Sequence, residues 1–230
     1  MSGIGPVVLV ALIDFEQAGR LWGWSRIVMR ERALSGIPGL RFAKVLGSGH
    51  EGGFGLRPSA SVQGLFCVFE TDAHADHFQG VGGGLEPWRR RAREWCTVRL
   101  RAYSSRGSWS ASPLATSASA PTSGPVASLT RASIRPDRAA AFWRMQPAAE
   151  RSLERARGVR LAVGLGEAPL LRQATFSIWN DVASMDAYAR SGAHQEAIVA
   201  AARGKFFSES MFVRFTLCEV QGTWKGRALA

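Results

Sequence analysis

The chain contains one pattern twice. Val98-Arg99, Gly107 and Trp109 recur as Val213-Arg214, Gly222 and Trp224 at a constant offset of 115 residues, and Gly5-Pro6-Val7 recurs as Gly124-Pro125-Val126 at an offset of 119. A repeat of this length is a whole folding unit, larger than the 20–50 residues of a solenoid repeat. The 230 residues therefore divide into two similar small domains packed together. A ligand pocket then belongs between or beneath them.

Each half carries the same order of elements. In the first, strands are expected over 7–13, 40–46, 62–69 and 96–103. One helix runs from about 15 to 32 with Leu21, Trp24 and Val28 on one face. A second covers 73–78 with Asp72 as its cap, and Pro87 opens a third. The second half gives strands over 126–134, 159–164, 173–179 and 211–220. Its helices open at Pro136 or Asp137, after Asp181, and near Ala193. Residues 108–124 are rich in Ser, Ala, Pro and Thr and almost uncharged, which reads as a linker. Each half is thus β-α-β-β-α-β, the split ferredoxin-like unit. The expected fold is α+β: a ferredoxin-like repeat over 1–107, the linker, and a second repeat over 125–230, closing into a dimeric α+β barrel within one chain.

Composition excludes several classes. No run of 18 apolar residues is present, so no transmembrane helix is expected. The apolar opening over 7–13 lacks the flanks of a signal peptide and reads as a buried strand. Cys67, Cys96 and Cys218 lack Cys-x-x-Cys spacing, which indicates a reducing compartment and no zinc site. The expected location is the cytoplasm. The net charge of +11 comes almost entirely from arginine and suits an acidic protein or the inner membrane face as a peripheral contact. The one dense cluster, Arg89-Arg90-Arg91 with Arg93, lacks interleaved aromatics, so no nucleic-acid partner is expected. No Walker loop or Gly-x-Ser-x-Gly elbow occurs. Gly80-Val81-Gly82-Gly83-Gly84 follows a helix rather than a strand, which argues against a dinucleotide fold.

Four histidines remain as candidate metal ligands. His50 sits in a glycine-rich loop, and His74 and His77 stand at i and i+3 without an accompanying carboxylate motif. His194 begins a helix whose same-face neighbours are Ala197, Ile198 and Ala201, small enough to admit a flat ligand. A helix N-terminus favours the neutral imidazole that a metal requires. By chemistry alone His194 reads first as a capping or core residue. Cys218 is a weaker alternative ligand. Trp109 and Trp224 occupy equivalent turns and read as structural plugs.

Together, several segments resemble the spheroidene monooxygenase family of carotenoid biosynthesis. They are Arg20-Leu21-Trp22, Leu40-Arg41-Phe42-Ala43-Lys44, Arg106-Gly107-Ser108-Trp109-Ser110 and the stretch from Leu129 to Pro136. They continue in Phe142-Trp143, Gly164-Leu165-Gly166-Glu167, Thr175-Phe176-Ser177-Ile178-Trp179, the stretch from Gly192 to Ile198, and the stretch from Gly222 to Arg227. The order is kept over nearly the whole chain, while the loop over 49–58 and the linker match poorly. The resemblance implies a monooxygenase that uses haem b iron and O2 to introduce a keto group beside a conjugated polyene, with an acidic ferredoxin-type electron donor. His194 is the one histidine inside a matching stretch, so the resemblance makes it the axial iron ligand. Arg131, Arg135 and Lys44 are candidates to pair with the haem propionates. Each also reads as a solvated strand-end charge. Strand alternation directs Gln173 and Thr175 toward a distal pocket. Two alternatives stay open: a haem enzyme of this fold acting on another hydrophobic metabolite, for example by dehydration, and a cofactor-free barrel monooxygenase. A non-enzymatic basic binding protein is the third and weakest.

Overall fold

The first strand, β1 (Val7–Phe15), is buried at all nine positions. An ordinary sheet strand hides one face and wets the other; burial of both requires apolar material on each side. The computed structural model supplies it. It describes residues 5–229 apart from 56, 169 and 191, and the side chains at 193, 194, 197, 198 and 202 also lie outside the described set. The remaining strands are β2 (Leu40–Gly49), β3 (Pro58–Phe69), β4 (Ala92–Gly107), β5 (Val126–Ile134), β6 (Val159–Ala168), β7 (Arg172–Trp179) and β8 (Phe207–Gly222). They close into one antiparallel barrel in the order β1-β3-β2-β6-β7-β5-β8-β4. Each repeat keeps the ferredoxin-like order 4-1-3-2 within that ring, as the sequence pattern predicts.

The two halves meet along unequal seams. β4 and β8 pair from Cys96↔Gly222 to Gly107↔Met211. β2 and β6 share the pairs Gly47↔Gly166 and Ser48↔Leu165, where the Ser48 hydroxyl also donates to the Gly164 carbonyl at 2.5 Å. Closure leaves no free sheet edge. Inward-facing Val10, Leu12, Phe66, Leu129, Phe176 and Phe215 fill the barrel. The connection between the repeats is anchored: Ser117 donates from its N–H to Ala102 O and from its hydroxyl to Pro6 O.

Helices cover the outside. They are α1 (Arg20–Met29), α2 (Asp72–Gln79) and α3 (Glu86–Arg89) in the first repeat, and α4 (Ala139–Glu154), α5 (Val182–Ala189) and α6 (Gly192–Arg203) in the second. α1 is shorter than its apolar pattern suggests; short 3-10 turns bound it, and Arg30 beyond its end has φ 53°. The helix opened near Pro87 is a single turn, so Arg93 falls in β4.

The repeat is visible bond by bond. Thr71 caps α2 by accepting from the His74 N–H, and Asp181 caps α5 by accepting from the Ser184 N–H. Arg99 reaches Asp76, and Arg214 reaches Asp186 at 2.6 Å. Trp109 and Trp224 each stand in a bridged turn and are buried in the barrel core, one at each end.

Candidate active site

The two repeats differ in what their sheets present to their helices. In the first, the outward positions Leu9, Ile13, Val45, Leu65, Cys67 and Phe69 join Phe78 and Trp88 in one dense outer core. Strand register places Ser128, Ala132, Gly164, Thr175, Ser177 and Trp179 at the corresponding positions of the second sheet. At four of these six a bulky apolar side chain has become a small or polar one, and Cys67 has become Ser177. Among the described residues, the outer core of the second repeat reduces to Phe54, Val126, Leu153, Trp179 and Met185.

Strand register fixes this face. Thr130 stands opposite Thr175, Ala132 opposite Gln173, and Ser128 opposite Ser177, whose hydroxyls lie 2.9 Å apart. Gln173 and Thr175, the two residues assigned to a distal pocket, thus share the outward face and are half-buried. The helix above leaves room. α4 runs sixteen residues, yet Leu153 is its one buried residue, and Phe142 and Met145 are only partly covered. At Gly164 the space is taken by the first repeat's loop: a Cβ there would sit 2.4 Å from Gly53 O. The Phe54 N–H donates to Glu150 of α4 at 2.9 Å and locks that loop over the sheet.

α6 packs on α4 and α5. His194 belongs to this helix, and its side chain lies outside the described residues. Seven residues on, Ala201 is buried and lines a cleft of about 450 Å³ with Arg135, Lys205, Phe207 and Ser208. Arg135 is exposed at the end of β5, and its N–H donates to Phe206 O at 2.8 Å. Phe207 also meets the Phe142 ring edge-to-face at 6.0 Å. The cleft therefore sets Ala201 and Phe207 beside two cations and the Ser208 hydroxyl. The sequence reading missed Phe207, Phe142 and Lys205; spacing gives no sign that a helix end and a strand start converge there.

Lys44 and Arg131 lie elsewhere, on the inner side of the sheet at one barrel end. Arg131 bonds Glu209, and its other terminal nitrogen lies 3.1 Å from Glu167. Lys44 bonds Glu31 at 2.5 Å and Glu167 at 3.2 Å. The Trp109 indole N–H donates to Glu167 at 3.1 Å. Both cations are thus held by carboxylates and face away from Gln173 and Thr175. Burial raises the Glu209 carboxyl, but the Ala111 N–H, the Ser108 hydroxyl, the Arg131 guanidinium and the Ser110 N–H outweigh it and hold the group at about 2.

Among the described residues no three metal-ligating side chains converge. His74 is engaged with Thr71 at the start of α2, and His77 is exposed. Burial pushes the Cys96 thiol up to about 12 and raises Cys218 as well, so neither thiol ionises readily. No helix is long and apolar enough to cross a membrane among the described residues.

No family model matches the chain. Spheroidene monooxygenase of Rubrivivax gelatinosus is 58% identical over 97% of this chain and 86% of its own length. The protein of the same name from Rhodobacter capsulatus is 35% identical, covering 96% of this chain and 94% of its own. Among solved structures, an aldoxime dehydratase in complex with butyraldoxime superposes with a TM-score of 0.60 at 9% identity, over 95% of this chain and 82% of that one. A second aldoxime dehydratase gives 0.58 at 10% identity, over 95% and 84%. These two likenesses are of fold alone. The extent and identity of the matches to the curated relatives establish that the chain belongs to the spheroidene monooxygenase family.

Proposed function

We propose that this monooxygenase binds haem b between the outward face of the second sheet and helices α4 and α6, and oxidises a hydrophobic, carotenoid-like polyene with O2 to a hydroxy or keto product. The observation that carries the reading is the thinning of that face. Where the first repeat packs Leu9, Ile13 and Leu65, the second has Ser128, Ala132 and Thr175 under a helix that buries one residue. A flat, mainly apolar group with acidic substituents suits a small-residue floor and a cleft lined by two cations.

His194 is the residue proposed to ligate iron. It stands two helical turns before Ala201, so both positions share a row of α6, and Ala201 lines the cleft. Arg135 and Lys205 are the cations proposed for the propionates, since Arg131 and Lys44 are already engaged with Glu31, Glu167 and Glu209. Thr175 and Gln173 would supply polar hydrogen-bonding groups on the face proposed for the haem. When bound, haem supplies the oxidant that attacks an unactivated C–H bond, chemistry that side chains alone do not provide. Electrons are proposed to come from an acidic ferredoxin-type protein, matched to the net charge of +11.

The test is the absorption spectrum of protein expressed with added haem precursor, beside His194→Ala. A Soret band that is lost or shifted in the variant supports the assignment. A band unchanged in the variant moves the ligand elsewhere. Wild-type protein without a band removes haem from the reading and favours cofactor-free oxidation.

A further inference from the structure

We propose that α1 is a membrane-docking helix that seats the barrel on an anionic bilayer. The apolar stripe of this helix points outward. Leu21 is 85% exposed, Val28 79% and Trp24 40%, with Met29 exposed beside them. The buried side of α1 carries instead Gly23, pressed so closely on the barrel that a Cβ would lie 2.6 Å from the Phe15 ring and 2.9 Å from the Gln63 amide. Trp22 and Ile27 complete that contact. The ridge is thus surplus to the fold: the helix is held without it.

Charge decides what covers it. α1 contains no acidic residue and carries Arg20 and Arg26, while Arg30 and Arg32 are exposed just beyond its end. Arg26 and Arg91 stack on Trp22, on the side of α1 turned to the barrel, at 4.9 and 4.5 Å, which leaves Arg20, Arg30 and Arg32 as the cations nearer the ridge. The acids that flank α1 in sequence are Glu31, half-exposed and paired with Lys44, and Glu16, which precedes the helix. A second copy of this chain on the same ridge would set arginine against arginine across a two-fold axis. An anionic lipid surface meets both features: it attracts the arginines and accepts a convex apolar ridge without needing a matching groove. Trp24, whose indole N–H donates to Ala60 O at 3.3 Å, is the residue type that settles at the interface between headgroups and acyl chains. The docked orientation brings a barrel whose proposed substrate is apolar to the phase in which apolar molecules dissolve, but the docking itself rests on α1 alone.

The experiment is co-sedimentation of the full chain with phosphatidylcholine vesicles, with and without phosphatidylglycerol, at low and high salt. The expected result is binding to the anionic vesicles that weakens with salt. Leu21→Glu with Val28→Glu should lower the partition coefficient about tenfold or more, with circular dichroism unchanged because neither side chain packs on the barrel. Wild-type protein that ignores anionic vesicles at low salt overturns the proposal, as does a double variant that binds equally well. A concentration-dependent dimer dissolved by the same substitutions, without vesicle binding, assigns the ridge to a second copy and also overturns it.

Discussion

Glu209 shows how a single residue serves the repeat. It opens the last strand of the second half and grips the turn that ends the first: the Ser108 hydroxyl donates to it at 2.9 Å, and the Ser110 and Ala111 N–H groups at 3.2 and 2.8 Å. Glu94 grips the turn that ends the second half in the same way, through the Thr223 hydroxyl and the Lys225 and Gly226 N–H groups. The two ends differ in one respect. Glu209 also holds Arg131, which occupies the inward position that Leu12 fills in the first repeat. Because the folded value of Glu209 is about 2, below the ordinary 4.5, its contribution is fully present above about pH 4.5 and is lost as pH falls toward 2. Glu209→Gln should therefore flatten the acid limb of stability in that window and lower stability at neutral pH, where Arg131 loses a charged partner. Urea midpoints measured from pH 2 to 7 check both effects. An acid limb identical to that of the wild type would show that the carboxylate carries no such linkage.

At the scale of elements, the strands were legible because alternation survives in them. Gln173 and Thr175 follow from the register of Ala174, Phe176 and Ile178, which all point inward. α1 was not legible in the same sense. Its stripe of Leu21, Trp24 and Val28 marks a helix face correctly, but periodicity does not say whether that face meets the core or the solvent. The answer lies in Gly23, a residue that apolar counting ignores. Lys44 and Arg131 escaped for a related reason: an inward-facing cation is tolerable only beside its carboxylates, and Glu167 and Glu209 come from neighbouring strands that are far apart in the sequence. The turns closing the repeats were legible from Gly107 and Gly222, and the structure gives the cause. Both have positive φ, 79° and 81°. A Cβ on Gly107 would lie 2.0 Å from Ser210 O, and one on Gly222 2.2 Å from Trp95 O, contacts with backbone that no rotamer change relieves. Gly107→Ala and Gly222→Ala should each cost about 2–4 kcal/mol in chemical denaturation. Losses under about 0.5 kcal/mol at both would mean that the strand ends shift without penalty.

On the scale of the whole molecule, the duplication separates two tasks that a single sheet and helix layer combine poorly. A sheet face filled with large apolar groups holds its helices firmly and leaves no room for a ligand. The first repeat keeps that face, and its outer core reaches from Val7 to Trp88. The second gives it up at Ser128, Ala132 and Thr175 while retaining the inward core of Leu129, Phe176 and Phe215 that closes the barrel. Support for the thinned half comes from its partner, through Phe54 under α4 and the long β4–β8 seam. Restoring the first repeat's residues should therefore reverse the specialisation. In Ala132→Ile with Thr175→Leu, each new side chain takes the size of its repeat counterpart, Ile13 or Leu65. The barrel interior is untouched, so the variant should fold and its thermal midpoint should hold or rise by a few degrees as the added apolar surface is buried. With haem seated on this face as proposed, haem content, read from the Soret band, and oxygen-dependent turnover should both fall sharply. A variant that keeps full haem content would place the group away from this face. One that loses its melting transition would show that the α4 layer has no room to accept the added volume.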